Sequence, residues 1–440
     1  MNIINVVGGG LAGSETAFHL AESGLKVRLY EMRPAKMTDV HQSGNMGELV
    51  CSNSLKSELI NTAQGLLKAE MQRMGSLILS CAEQARVPAG SALAVDRERF
   101  SKLVNATLEN HPNIEIVRQE VTRIPLNEIT IIATGPLTSG ELFEDIKRLT
   151  GSENLYFYDA VAPSISMESL DTTKAFKASR YGKGTEDYYN CPMNKQEYER
   201  FYYELIDADI KEGHSIDKKE FFDGCMPVEV MARRGVETLR FGPMRPVGLL
   251  DPVNGKRPWA VVQLRQENRE GTVWGLVGCQ TRLKWAEQKR VFQLIPGLEN
   301  ADFVRFGVMH RNTFICSPQL LQPTLQLKSH PNLLFAGQIT GVEGYMESAA
   351  TGILAGVNAK RIVHGQEPLS MPPETILGAL VQFITQADQN NFQPINANFG
   401  IVPPLSVKIK NKKERYNQYV SRSMDKMNDF SELFAAYVVK

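Results

Sequence analysis

The sequence predicts an α/β fold: a dinucleotide-binding Rossmann domain, discontinuous along the chain, with an inserted α+β domain. Three observations carry this. A short apolar run, residues 2–7, leads straight into Gly8-Gly9-Gly10-Leu11-Ala12-Gly13. A helical pattern and a second apolar run follow, ending at the acid Glu31. Another glycine-rich turn before a helix, residues 337–344, comes only near the other end of the chain, after a long stretch of different character.

Residues 14–23 read as a helix with Ala17, Phe18, Leu20 and Ala21 on its inner face. Gly24 stops it, and residues 25–30 form the second strand of a β-α-β unit. Residues 34–57 form a polar loop containing Glu48-Leu49-Val50-Cys51-Ser52-Asn53-Ser54, and loops of such length are usually functional or mobile. Residues 64–83 read as one helix, with Leu67, Met71, Met74, Ile78 and Leu79 inward. Residues 114–118 and 129–133 are further strands, the second running into Ala133-Thr134-Gly135-Pro136. Between 156 and 318, aromatics, glycine, proline and mixed charges break any βα alternation, and 259–266 with 271–279 suggest antiparallel strands. Residues 332–336 return to a buried strand, and 347–363 form a helix rich in small residues. The expected division is 1–155 and 319–440 for the two parts of the nucleotide-binding domain, the latter with C-terminal helices, and 156–318 for the inserted substrate domain.

The length of 440 residues exceeds one hydrophobic core. An apolar content of 42% with 22% charged residues describes an ordinary soluble protein. Acidic and basic residues balance at 49 each, so no overall field draws the chain to nucleic acid or membrane, although a local basic patch suffices for RNA. Cysteines 51, 81, 191, 225, 279 and 316 make no Cys-x-x-Cys pair and no histidines cluster, which supports neither a disulfide framework nor a metal site. With no signal peptide before the first strand and no membrane-length apolar run, a cytoplasmic chain with free thiols is expected.

Gly8, Gly10 and Gly13 fit the dinucleotide fingerprint: a sharp turn, a close approach of backbone to pyrophosphate, and tight helix–strand packing. Gly9, Leu11 and Ala12 complete the turn, and the helix N-terminus presents unpaired N–H groups to phosphate. Glu31 stands where a carboxylate accepts ribose hydroxyls. A bare G-x-G-x-x-G also describes a plain turn; the strand, helix and acid in register point to nucleotide. FAD is expected over NAD because two features lie downstream. Thr134 and Gly135 at a strand end resemble the segment that closes the FAD domain of glutathione-reductase-like flavoproteins. The turn with Gly337, Gln338 and Gly341 resembles their second flavin contact.

Several segments together resemble the folate- and FAD-dependent tRNA uracil-5-methyltransferase family. They are residues 8–15, Leu29-Tyr30-Glu31-Met32-Arg33-Pro34, residues 48–57, residues 239–249 and residues 337–352. The likeness covers nearly the whole chain, and the Cys51 and Arg240 segments are its specific part. More distantly it extends to the wobble-uridine modification flavoproteins. The resemblance implies methylation of C5 of the T-loop uridine of tRNA. Its carbon comes from 5,10-methylenetetrahydrofolate and its electrons from NAD(P)H through FAD. A paralogous class modifies ribosomal RNA, and a small-molecule flavin oxidoreductase is the competing enzyme reading; a flavoprotein that binds RNA or a partner without catalysis is a third.

Uracil C5 is a poor nucleophile until a thiolate adds to C6, a step suited to cysteine. The resemblance places functional cysteines at Cys51 and Cys225: Cys225 for the attack on C6, Cys51 either as base or to handle a flavin-bound methylene. Both lie among Gly, Asn, Ser and Asp, unlike the buried cysteines that are the commoner kind. Cys81 and Cys279 read as packing; Cys191 and Cys316 are undetermined. Tyr345 is placed either to stack on the isoalloxazine or folate or simply to pack at the start of the helix. For RNA phosphates the candidates are Arg97, Arg99, Arg233, Arg234, Arg240, Arg245, Lys408, Lys410, Lys412, Lys413 and Arg415, with Tyr416 and Tyr419 interleaved, though charge runs are usually solvated faces. His41, His310 and His330 carry no partner signature.

Overall fold

The structure is a computed structural model that describes residues 3–38, 40–152, 155–182, 185–211 and 226–430. Its centre is a six-stranded sheet in which Ile4–Val7 lies between Val27–Tyr30 and Thr130–Ile132. Outside these run Ile114–Val117 on one side and His330–Phe335 on the other, all parallel. Gln326–Leu327 closes the edge antiparallel to His330–Phe335. Every residue of Ile4–Val7 is buried, as expected of a parallel strand covered on both faces. The sheet joins strands from both ends of the chain.

Helix Leu11–Glu22 packs along helix Tyr345–Val363. Their approach is so close that a Cβ on Gly352 would stand 2.2 Å from the Ala12 carbonyl oxygen. The Thr16 hydroxyl bonds the carbonyls of both Ala12 and Gly352, at 2.9 and 2.8 Å. The small residues of the second helix therefore serve helix–helix contact.

A second six-stranded sheet is antiparallel, in the order Phe176–Lys177, Tyr188–Met193, Ala260–Gln266, Val273–Leu276, Ser164–Ser166 and Phe303–Arg305. It has its own core, with Tyr198, Phe201, Val262, Leu264 and Phe292 among its members. Strands Leu155–Ala160 and Met309–Phe314 pair with each other where the chain leaves and re-enters the first sheet's surroundings. The antiparallel strands expected near 259–266 and 271–279 are the paired Ala260–Gln266 and Val273–Leu276.

Two expectations need correction. The single helix expected over 64–83 is two, Ala63–Arg73 and Leu77–Gln84, broken where Gly75 takes φ +75°. The second helix is capped by Ser76 and by the buried Glu15 carboxylate, which accepts the Leu77 and Ile78 N–H groups, both at 3.0 Å. A tertiary cap of this kind leaves no trace in the periodicity. The loop over 34–57 also ends in a strand, Ser54–Ser57, which pairs with Ala92–Val95. Among the described residues no helix is long and apolar enough to cross a membrane, and no cluster suited to a metal ion occurs.

Candidate active site

A cleft opens at the carboxyl ends of three neighbouring parallel strands, where the strand order reverses to either side of Ile4–Val7. Open α/β sheets bind ligands at such a point. The cleft encloses about 980 Å³ of atom-free space, its mouth included. Its walls bring together Gly8, Gly10, Leu11, Ala12, Glu31, Thr134, Gly135, Gly337, Gln338 and Tyr345, drawn from both ends of the sequence.

The glycines divide by role. Gly8, at φ +105°, has no room for a side chain: a Cβ would lie 2.6 Å from the Ala133 oxygen. Gly13 faces away from the cleft and lets the helix rest on the strand, with a Cβ position 1.8 Å from the Gly8 oxygen. Gly10 borders open space, and no side chain caps the helix that starts after it. The N–H groups of that first turn have no intrahelical acceptor, which fits a phosphate-bearing ligand. Gly9 lies against Glu31 and Met46, and Gly341, at φ +89°, packs on the Phe392 ring; neither lines the cleft.

Glu31 reaches the cleft, but its four acceptor positions are already engaged. Oε2 accepts the Gly9 N–H at 2.9 Å and Arg33 Nη2 at 3.0 Å; Oε1 accepts the Arg33 N–H at 3.0 Å and its Nε at 2.9 Å. Burial pushes the carboxyl up, but the hydrogen bonds and charge of Arg33 outweigh it and hold Glu31 below the usual range. Arg33 also reaches Glu48, at 3.3 Å. The sequence places Glu31 beside ribose without foreseeing this buried pair, although Arg33 and Glu48 both stand in the quoted segments. Ribose hydroxyls would share the carboxylate with Arg33.

Cys51 is partly buried next to the cleft-lining Val50 and does not itself line the cleft; its Sγ lies 3.9 Å from the Ala160 oxygen. Its N–H and that of Ser52 both donate to the Tyr345 hydroxyl, at 2.8 and 3.1 Å. Burial, with Cys51 beside it, pushes the Tyr345 phenol up, so it stays neutral. The Arg97 guanidinium approaches the Cys51 carbonyl at 3.4 Å and pairs with Glu267 at 2.9 Å. Arg265, from the inserted sheet, donates to the Ser52 hydroxyl at 2.7 Å and to Asn53 Oδ1 at 2.8 Å. The cysteine loop is thus held between the start of helix Tyr345–Val363 and the second sheet. Arg265 was not singled out in the sequence, since nothing in its spacing marks it.

Three more titratable groups have shifted proton affinities. His41 lines the cleft and is pushed down to about 4 by burial and then by Arg33. Burial also lowers His310, which lies beside Asp159 at 3.8 Å. Glu343 is pushed up to about 8 by burial and then by Asp159, and accepts the Gln338 amide. Burial thus disfavours the charged forms of both imidazoles and of the Glu343 carboxyl.

Cys225 lies outside the described residues. Cys81 and Cys279 are core thiols, each pushed up to about 12 by burial, and Cys191 is equally buried. Cys316 precedes the short Ser317–Leu320 helix, its Sγ 3.9 Å from the Gln389 oxygen. Of the proposed phosphate contacts, Arg97 is turned inward as described, and Arg240 stacks on Trp259, 3.5 Å from the ring centroid. Arg99, Arg233, Arg234, Arg245, Lys408, Lys410, Lys412 and Lys413 are exposed, and Arg415 partly so. Tyr416 and Tyr419 pack on Phe399 and so are structural aromatics.

The sheet order, the glycine turns from both chain ends and the cleft define an α/β protein with the fold of FAD-dependent oxidoreductases. The GidA of Aquifex aeolicus has this fold, with a TM-score of 0.69 at 16% identity over 99% of this chain and 75% of that one. The family model for glucose inhibited division protein A matches residues 3–367. The chain is 62% identical to the methylenetetrahydrofolate--tRNA-(uracil-5-)-methyltransferase TrmFO of Syntrophomonas wolfei, over 98% of this chain and 99% of that relative. It is 57% identical to the protein of the same name from Moorella thermoacetica, over 97% and 98%. This chain belongs to the TrmFO family.

Proposed function

We propose that the protein methylates C5 of the T-loop uridine of tRNA. Its carbon donor is 5,10-methylenetetrahydrofolate, and FAD held in the cleft is reduced by NAD(P)H. The observation that carries this reading is the docking of the Cys51 backbone onto the hydroxyl of Tyr345, a residue that lines the cleft. The near-identical length and 62% identity of a relative bearing the activity in its name support it.

In this reading the first turn of Leu11–Glu22 holds pyrophosphate and Glu31 the ribose, while Thr134, Gly135, Gly337 and Gln338 border the remainder. Bound FAD supplies the hydride equivalent that converts a methylene to a methyl. Cys225 adds to uracil C6, which makes C5 nucleophilic toward the folate carbon. Cys51 acts as base or handles the methylene. Residues 156–318 serve as the substrate domain, set between the two parts of the FAD domain, 1–155 and 319–440.

Replacing each cysteine tests this. Cys51→Ala and Cys225→Ala are expected to lose methyl transfer to unmodified tRNA while keeping flavin. Transfer at the wild-type rate in both variants would remove the reading.

A further inference from the structure

Tyr181 has a strained backbone and an exposed ring. Its φ and ψ are 62° and 20°, left-handed values for a bulky side chain, and 55% of its surface is exposed. Such outliers cost stability and persist where the surroundings impose them. Here the surroundings are visible. The Tyr181 N–H donates to the Gly248 carbonyl at 2.8 Å. Gly248, at φ +85°, leaves space that the ring occupies: a Cβ there would lie 2.9–3.0 Å from three ring atoms of Tyr181. One face of the ring therefore lies on the loop, and the rest is in solvent.

Two cations frame the ring. Arg245 Nη2 donates to the Tyr181 hydroxyl at 3.4 Å. Arg180 Nη1 donates to the carbonyls of Arg245 and Val247. Among the described residues the hydrogen-bond partners of the two guanidinium groups are all neutral: Gln263, the Arg245 and Val247 carbonyls and the Tyr181 hydroxyl. Burial and then the charge of Arg245 hold Arg180 below its usual range, as expected of two neighbouring cations. An exposed aromatic plane beside two guanidinium groups is the chemistry of single-stranded nucleic acid contact: base stacking next to phosphate pairing.

The platform connects to the cysteine loop. Arg180 Nε bonds Gln263 at 2.9 Å. Gln263 and Arg265 are two apart on strand Ala260–Gln266 and so share a face, roughly 7 Å apart. Arg265 in turn holds Ser52, next to Cys51.

We propose that Tyr181 is a stacking platform for an unpaired base of the RNA substrate, with Arg180 and Arg245 neutralising the adjacent phosphates. The platform orients the strand whose neighbouring base enters the Cys51 site. This rests on the RNA-methylating reading, and the test separates the two.

Equilibrium binding of unmodified tRNA to the flavin-loaded full-length protein is compared for wild type, Tyr181→Ala, Tyr181→Phe and Tyr181→Trp, with methyl transfer measured alongside. The expected result is a dissociation constant raised about tenfold or more in Tyr181→Ala and within about twofold of wild type in the two aromatic variants. In turnover KM should rise while kcat holds, and flavin content and melting temperature should not change. Arg245→Gln should weaken binding and reduce its salt dependence by about one counterion. Equal affinity of Tyr181→Ala and wild type overturns the proposal. So does equal weakening in Tyr181→Phe, or loss of flavin or of stability in Tyr181→Ala. A wild-type protein that binds tRNA without methylating it contradicts the functional reading alone, and the affinities still decide the role of Tyr181. A wild-type protein with no affinity for tRNA contradicts both.

Discussion

The Tyr345 hydroxyl accepts the Cys51 backbone N–H at 2.8 Å, joining residues almost three hundred positions apart. Ser52 donates to the same oxygen. The phenol thus fixes the position of the thiol-bearing loop as well as forming a wall of the cleft.

Tyr345→Phe keeps the ring and removes the acceptor, leaving two partly buried N–H groups without it. Misplacing a reacting group by about 1 Å can cost on the order of 100-fold in rate. We expect methyl transfer to fall by roughly 10- to 100-fold with flavin still bound. Single-turnover kinetics on reduced enzyme would check this, and an unchanged rate would reduce Tyr345 to a wall residue.

Glu31 is expected to matter before any nucleotide arrives. Glu31→Ala would leave Arg33 buried with only the longer contacts of its Nη1 to Glu48 and to the Ser43 carbonyl among the described residues. Removing one partner of a buried pair typically costs about 3–5 kcal/mol, and Glu48 moderates that here. Denaturant titration of flavin-free protein should therefore show a loss of a few kcal/mol. A stable apoprotein with impaired flavin uptake would instead assign Glu31 to ribose alone.

Gly13→Ala places a methyl carbon where only 1.8 Å separates it from the Gly8 oxygen. Backbone on that side cannot yield cheaply, so the helix must move off the strand. Overpacking typically costs about 1–3 kcal/mol, and flavin affinity should fall with it because the shifted helix start faces the cleft. Flavin retention on gel filtration and the melting temperature report the two effects.

Glu70 gives a pH dependence of known sign. It is fully buried, accepts the N–H groups of Ile376 and Leu377 at 2.7 and 3.0 Å and the Ser423 hydroxyl, and burial raises it to about 7. A raised carboxyl binds its proton more tightly folded than unfolded. Its contribution is fully present below the unfolded value near 4.5 and is lost as pH rises through about 7. Stability should therefore decline over that window by up to a few kcal/mol. Urea midpoints from pH 4.5 to 8 should show a shallower decline in Glu70→Gln.

Much of the cleft lining was legible because its requirements are local. Gly8, Gly10, Gly13 and Glu31 keep their spacing within one β-α-β unit, and the turn at Gly337 is marked by its own glycines. What sequence did not disclose depends on distant partners. Glu15 and Glu70 cap helices far along the chain, Arg265 crosses from the second sheet to Ser52, and His41 and His310 acquire shifted proton affinities through burial, with Arg33 adding to the shift of His41. Tyr416 and Tyr419 interleave with lysines in a pattern suited to RNA, yet both rings face Phe399. Charge and aromatic spacing alone does not say which face a helix buries.

The most direct measurement supplies purified flavin-loaded protein with NADPH, unmodified tRNA and 5,10-methylenetetrahydrofolate labelled in its methylene carbon, then maps the label. The account expects label in 5-methyluridine of the T loop, and none when flavin is stripped. Label confined to ribosomal RNA in a mixed assay, or a colourless protein that takes up no flavin, would contradict it.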